Sequence, residues 1–249
     1  MQTDNDALPE SGVKILVVSM PKSGTTFFTR LIANIPSFRE ASFGNPRSPD
    51  RMHDLCETSI ENCGVGNFVS SQHVYRNEHI ANIINQYNLR PIILTRNITD
   101  IIVSWFDHVK REKFRTLDKY ITDDNDDYMY SLFIQTILPH FFKIYSSWKI
   151  SEFKTSMFRY EDIYDDLDAM RNAIAHVLPE LALSRQQVAF LMDHTRRTTF
   201  TNYNVGKVGR GMTLLKEHHL RDIVRLAGYY KEVDKSTLGV PAELQEKYA

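Results

Sequence analysis

The sequence predicts an α/β fold in which a central parallel sheet is covered by helices on both faces. Two observations predict it. Short, buried-type β-branched runs alternate with helical stretches at a spacing that calls for right-handed crossovers. The first of those runs passes through a Gly/Ser/Thr turn directly into a helix.

Val13 to Met20 is the first strand, and Pro21 ends it. Phe28, Leu31, Ile32 and Ile35 then recur at helical spacing. A weaker strand spans Phe68 to Gln72, a helix Asn77 to Tyr87, and a buried strand Pro91 to Thr95. Ile98, Ile101, Ile102, Trp105, Phe106 and Val109 form one apolar stripe, with Asn97 placed to cap the helix and Asp100 in its first turn. Residues 128–150 are helical and aromatic-rich, with a kink or break expected at Pro139. Met157 to Tyr160 reads as a short strand leading into one helix from Asp162 to Leu178. Helices over Arg185 to Asp193 and Lys216 to Tyr229 complete the chain. With no internal repeat and no low-complexity linker, a single domain over 1–249 is expected, preceded by a flexible polar segment at 1–12. Ligands of such sheets bind at the carboxyl ends of the strands, which points to the loops after Met20, Gln72, Thr95 and Tyr160.

Composition narrows the function. The 249 residues carry 30 Lys and Arg against 31 Asp and Glu, so the basic excess of a nucleic-acid binder is missing and any anion site must be built locally. At 42% hydrophobic and 24% charged the chain reads as soluble and globular. Its start lacks the basic and apolar regions of a secretion signal, and no apolar run near it approaches a membrane span. A cytoplasmic protein without a membrane partner is expected. Cys56 and Cys63 offer neither a disulfide framework nor a zinc knuckle and are read as reduced thiols.

The densest chemistry lies in Lys22-Ser23-Gly24-Thr25-Thr26-Phe27, between strand and helix. A helix start presents unpaired N–H groups and a positive dipole end; Gly24 admits close approach, Ser23, Thr25 and Thr26 add hydroxyls, and Lys22 adds a charge. A Walker A loop does not fit, because Lys22 precedes the glycine and the leading glycine is absent. Arg96 follows a strand and can grip a phosphate with two N–H groups. Asp100, Ser104 and His108 share one face of the next helix, so Ser104 can add a hydroxyl to the anion on Arg96. Taken alone, this second pattern also suits a structural Arg–Asp pair.

Together these motifs resemble the sulfotransferase family, for which a three-layer P-loop-like fold is expected. Pro21 to Thr26 is similar to its 5′-phosphosulfate loop, and Arg96-Asn97, Asp100 and Ser104 to its 3′-phosphate motif. Tyr160-Glu161-Asp162 resembles its Y-E-D segment, and Gly206-Lys207-Val208-Gly209 the core of its C-terminal glycine loop. The resemblance implies transfer of a sulfuryl group from 3′-phosphoadenosine 5′-phosphosulfate (PAPS) to a hydroxyl or amine, without a metal. Lys22 would stabilise the leaving group, Ser23 to Thr26 cradle the 5′-phosphate, Arg96 and Ser104 hold the 3′-phosphate, and Tyr160 and Phe27 lie against the adenine. A monoanionic sulfuryl group needs less neutralisation than a γ-phosphoryl, so a lysine can stand where a kinase needs magnesium. His73 resembles the family's base, with His108 as the alternative. A small-molecule kinase using ATP and magnesium is the competing enzyme class.

Several positions depart from the family pattern. Phe27 replaces a tryptophan, Ser71 a lysine, Asn204 and Val205 an Arg-Lys pair, and Arg210 and Gly211 an Asp-Trp pair. Lys207 and Arg210 are candidates for the missing charge. The acidic run Thr122 to Asp127 reads as a solvated loop without the glycine of a calcium loop, or as a receiver for a cationic acceptor. The adjacent His218 and His219 are read as surface residues with rings pointing apart. The acceptor pocket falls to residues 37–66 and 112–150, where Phe43, Tyr120, Tyr128 and Tyr130 are candidates, and the oligomeric state stays open.

Overall fold

The computed structural model describes residues 8–47, 53–112, 125–198 and 208–249. In chain order the elements are β1 (Lys14–Ser19), α1 (Thr25–Ala33), β2 (Phe38–Glu40), α2 (Glu57–Cys63), β3 (Asn67–Gln72), α3 (Glu78–Gln86), β4 (Leu89–Thr95), α4 (Ile98–Glu112), α5 (Asp126–Thr136), α6 (Leu138–Lys149), β5 (Met157–Arg159), α7 (Tyr160–Ile163), α8 (Leu167–Val177), α9 (Arg185–Thr198), α10 (Arg210–Leu214), α11 (Glu217–Ala227) and α12 (Ala242–Tyr248). The chain divides into two compact units, Met1–Thr95 with Ser147–Asn202, and Arg96–Ser146 with Tyr203–Ala249.

The first unit holds the whole sheet. Its five strands run parallel in the order β2-β3-β1-β4-β5. The connections leave β1 toward β3 and β2 and leave β4 toward β5, so the strand order reverses between β1 and β4, where open parallel sheets place their ligands. Ser19, the last residue of β1, lies in register with Leu94, one residue short of the end of β4. Alternation along the strands sends Ile15, Val17, Val69, Ile92 and Leu94 into a core shared with Phe28, Leu31 and Ile32 of α1, Ile174 of α8 and Leu191 of α9. Leu16, Val18 and Ile93 are buried on the opposite face. Arg90 binds Glu180 through both guanidinium nitrogens at 2.8 and 2.6 Å and donates to the Val177 carbonyl. That pair ties β4 to the end of α8 and holds the Glu180 carboxyl below its ordinary range.

Helix boundaries follow local chemistry. Asn77 caps α3 by accepting from the Ile80 N–H. The single helix expected over Asp162 to Leu178 is two helices. The short α7 stops at Ile163, and α8 starts anew because the Asp166 carboxylate accepts from the N–H groups of Asp168 and Ala169. The break expected near Pro139 falls at Ile137, leaving the proline in the first turn of α6, where its missing N–H breaks no helical bond. Cys56 and Cys63 sit at opposite ends of α2 as free thiols. Two turns of helix separate them, about 10 Å along the axis, too far for a bridge.

In the second unit, α4 is the buried spine, with Ile101, Ile102, Val103, Phe106 and Val109 each at most 1% exposed. Phe106 meets Tyr130 and Phe133 of α5 edge-on. No helix of the described residues is long and apolar enough to cross a membrane.

The surface placement expected for the histidine pair does not hold. His219 is wholly buried, and its ring centroid lies 4.0 Å from that of His218. The cause is a capping box: the Lys216 N–H donates to His219 Nδ1, which turns the ring back over the start of α11. Nε2 then carries the hydrogen and donates to the Asp127 carbonyl at 3.0 Å.

Candidate active site

The loop after β1 is built to present donors. Gly24 takes the left-handed conformation (φ 83°) that starts α1, and Lys22 does so too (φ 68°). For a lysine that conformation costs about 1–3 kcal/mol, a strain that clusters at functional loops. Ser23 is fully buried, and its Oγ has no hydrogen-bond partner among the described residues. A buried hydroxyl left unpaired costs about 1–3 kcal/mol. At a helix N-terminus beside a glycine, it fits an anion that accepts from it. Thr25 is also buried, while Lys22, Gly24 and Thr26 are partly exposed.

Gly24 is required for a second reason. A Cβ there would meet the Tyr160 ring at 2.4 Å. Tyr160 is 6% exposed and stacks on Tyr164 at 4.7 Å; Phe27, also 6% exposed, meets Tyr164 edge-on. Both rings expected at the adenine are thus largely buried, Tyr160 against Gly24 and Phe27 against Tyr164.

His73 follows β3 directly. Its Nδ1 lies 2.9 Å from the Ser19 carbonyl oxygen and 3.2 Å from Ser19 Oγ, which in turn hydrogen-bonds Thr25 Oγ1. A carbonyl only accepts, so Nδ1 carries the hydrogen and the ring lone pair belongs to Nε2. The structure therefore joins His73 to the phosphate-type loop through Ser19. Sequence reasoning did not single out Ser19, which looks like any small residue ending a strand.

In the second unit, Arg96 and Ser104 are 8% and 7% exposed at the start of α4. Asp100 does not serve Ser104's face alone. Its carboxylate, 2% exposed, accepts from the N–H groups of Gly209 and Gly211, both at 2.8 Å, and so caps α10. Gly211 stands where the family pattern has tryptophan because α10 packs on α4 there: a Cβ would lie 2.3 Å from the Thr99 backbone. Arg210 pairs with Asp107 at 2.8 Å, so its charge is already engaged. His108 lies beside Arg111 and the Trp105 ring. Gly206 and Lys207 lie outside the described residues, as do Tyr120 and the first three residues of the acidic run. Asp126 and Asp127, at its end, pair with Lys110 and Lys216. Phe43 and Tyr130 are buried, and Tyr128 is exposed.

A second cluster came into view only in the structure. Asp127, His218 and His219 bring three ligand-type atoms within 4.8 Å of one another. They do not fit a metal: His219 Nε2 is spent as a donor, Nδ1 already accepts the capping N–H, and the Lys216 ammonium lies 3.0 Å from the Asp127 carboxylate.

The sulfotransferase domain family model matches residues 13–213. The chain belongs to the sulfotransferase family. The match runs through both compact units, so one family domain contains the loop after β1 and the start of α4. Solved structures show the same fold for this sulfotransferase. The mouse sulfotransferase SULT7A1 complexed with PAP, the 3′,5′-bisphosphate left after transfer, superposes with a TM-score of 0.68 at 17% identity, over 95% of this chain and 89% of that one. Retinol dehydratase with retinol and PAP gives 0.60 at 16% identity, over 91% and 84%. The same enzyme with androsterone and inactive cofactor PAP gives 0.56 at 15%, over 89% and 81%. No curated protein matches the chain in sequence.

Proposed function

We propose that this sulfotransferase moves the sulfuryl group of PAPS in line onto a hydroxyl or amine of a small-molecule acceptor, with His73 as base and Lys22 at the leaving group. The observation that carries the reading is the pairing of two features at the end of β1. One is a buried, unpartnered Ser23 hydroxyl in a glycine turn at a helix start; the other is a histidine whose Nδ1–H is held by the carbonyl of Ser19.

PAPS supplies the sulfuryl group and, as leaving group, the 5′-phosphate of the bisphosphate. His73 Nε2 takes the acceptor's proton as the new bond to sulfur forms. Lys22 and the donors from Ser23 to Thr26 stabilise the electron pair that the phosphate oxygen gains as its bond to sulfur breaks. Arg96 and Ser104 are assigned the 3′-phosphate, and Gly206 and Lys207 keep the loop role that the resemblance gives them. Tyr160 and Phe27 keep the place beside the adenine that the resemblance gives them, and Tyr160 also backs the loop at Gly24. Similar structures, with retinol or androsterone beside PAP, support a small-molecule acceptor. A cationic acceptor at Asp126 or Asp127 would compete with the Lys110 and Lys216 ammonium groups already paired there. The kinase reading is not favoured, since Lys22 lies before the loop glycine.

Transfer of labelled sulfate from PAPS to a panel of phenols, alcohols, amines and sugars tests the proposal. A sulfated product from at least one class is expected, with turnover falling about 10²- to 10⁴-fold in His73→Ala while PAP still binds. Near-normal turnover in that variant would move the base elsewhere.

A further inference from the structure

The hydroxyl of Ser19 does more than fill the end of a strand. We infer that Ser19 is a positioning residue that couples occupancy of the donor loop to the basicity of His73 through a one-way chain of hydrogen bonds. The inference rests on the sulfotransferase reading and on His73 as its base.

The first direction in the chain is forced, and the second is assigned. The Ser19 carbonyl can only accept, so the hydrogen between it and His73 Nδ1, 2.9 Å away, belongs to the ring. Ser19 Oγ, 3.2 Å from the same nitrogen, therefore receives the second leg of that N–H and does not donate to it. The bond between Ser19 Oγ and Thr25 Oγ1 admits either oxygen as donor; we assign the hydrogen to Ser19, which leaves the Thr25 hydrogen for an anion. With Thr25 Oγ1 as acceptor, its own hydrogen is left for an anion at the start of α1, where the first N–H groups of the helix are also unpaired. Ser19 is fully buried and Thr25 nearly so, and in a low dielectric such a chain polarises from end to end.

An anion that accepts from Thr25 strengthens each link behind it. The last link is the Nδ1–H of His73, and a ring that donates more strongly there holds a proton more tightly at Nε2. The histidine is thus made a better base when the donor is bound. The carbonyl alone would fix the tautomer but would not report on the loop. Among the described contacts the titratable neighbour of His73 is His53, its ring centroid 5.9 Å away.

The test follows the His73 imidazole by NMR with labelled histidine, titrated with and without PAP, in a His53→Gln background that removes the neighbouring ring, the His73 signal being assigned by its loss in His73→Ala. Wild-type Ser19 is expected to give a rise in proton affinity on PAP binding that exceeds that of Ser19→Ala by about threefold, or half a pH unit. Ser19→Thr should restore the full rise. All three should show the same Nε2 lone-pair tautomer, because the carbonyl is unchanged. Ser19→Cys, nearly isosteric and a much weaker donor, should match Ser19→Ala and serves in its place if that variant does not fold. The acid limb of the kcat against pH profile should move in parallel. An equal rise in Ser19→Ala and wild type overturns the coupling while leaving the sulfotransferase reading intact. Failure of wild type to bind PAP at all faults that reading instead.

Discussion

The ring of Tyr160 fills the space into which a side chain at residue 24 would grow, 2.4 Å from an added Cβ on Gly24. Tyr160 cannot easily withdraw, because it stacks on Tyr164, whose other partners are the edge of Phe27 and the guanidinium of Arg196 at 4.8 Å. The Y-E-D segment thus acts on the loop after β1 as a template from beneath. Gly24→Ala must displace the ring and also hold a left-handed conformation. It should cost about 1–3 kcal/mol of stability and abolish PAP binding, measured by denaturant unfolding and calorimetry. In the double variant the costs of Gly24→Ala and Tyr160→Ala should come to less than their sum, since the clash disappears with the ring.

Lys22→Met keeps most of the length of the unbranched side chain and removes its charge. Turnover should fall about 10²- to 10³-fold, as when one fixed donor to a developing anion is lost, with PAP affinity changing far less. Single-turnover kinetics separates the two effects, and an equal loss in both would place Lys22 at the bound phosphate and not at the departing one.

Asp100→Asn replaces two acceptor oxygens with one acceptor and one donor facing the N–H groups of Gly209 and Gly211. With the site buried, the change should cost about 1–3 kcal/mol. Amide exchange at Gly209 and Gly211 should quicken ahead of the sheet amides of β1 and β4.

How far the sequence was legible varies with the kind of signal. β1 and β4 were readable because buried β-branched runs bounded by turn residues have few alternatives, and α4 because its apolar stripe repeats over three turns. β2 has three residues and no pattern of its own, and only its register with β3 defines it. The break between α7 and α8 depended on Asp166 bonding back to two amides, which competes with a continuous apolar pattern. In the site, the glycine loop and Arg96 were visible as residue types, whereas the roles of Ser19 and Asp100 lie in partners distant along the chain. His219 misled for a related reason: adjacent helical residues point apart unless one of them caps, and the cap at Lys216 turned this ring inward.

Burial holds the proton affinity of His219 below that of a free imidazole, so the folded state prefers it neutral. Above the unfolded value near pH 6.5 the group costs nothing. As pH falls below that value the unfolded chain binds the proton first, and stability declines by up to about 1.4 kcal/mol per pH unit until the folded pKa is reached. Asp127 acts in a separate window. Lys216 lowers its pKa, so its contribution is present above the unfolded value near 3.8 and is lost only in stronger acid. His219→Gln should flatten the decline below pH 6.5 in urea unfolding, while Lys216 keeps the Asp127 pKa lowered.

Ligand-induced stabilisation tests the central claim, that the chain binds a 3′-phosphorylated adenosine donor, most directly. PAP at about 100 times its Kd should raise the unfolding free energy by about 2.7 kcal/mol, an effect that Gly24→Ala and Arg96→Ala should each largely remove. Stabilisation by ATP with magnesium equal to or greater than that by PAP, or none by PAP at saturating concentration, would contradict the account.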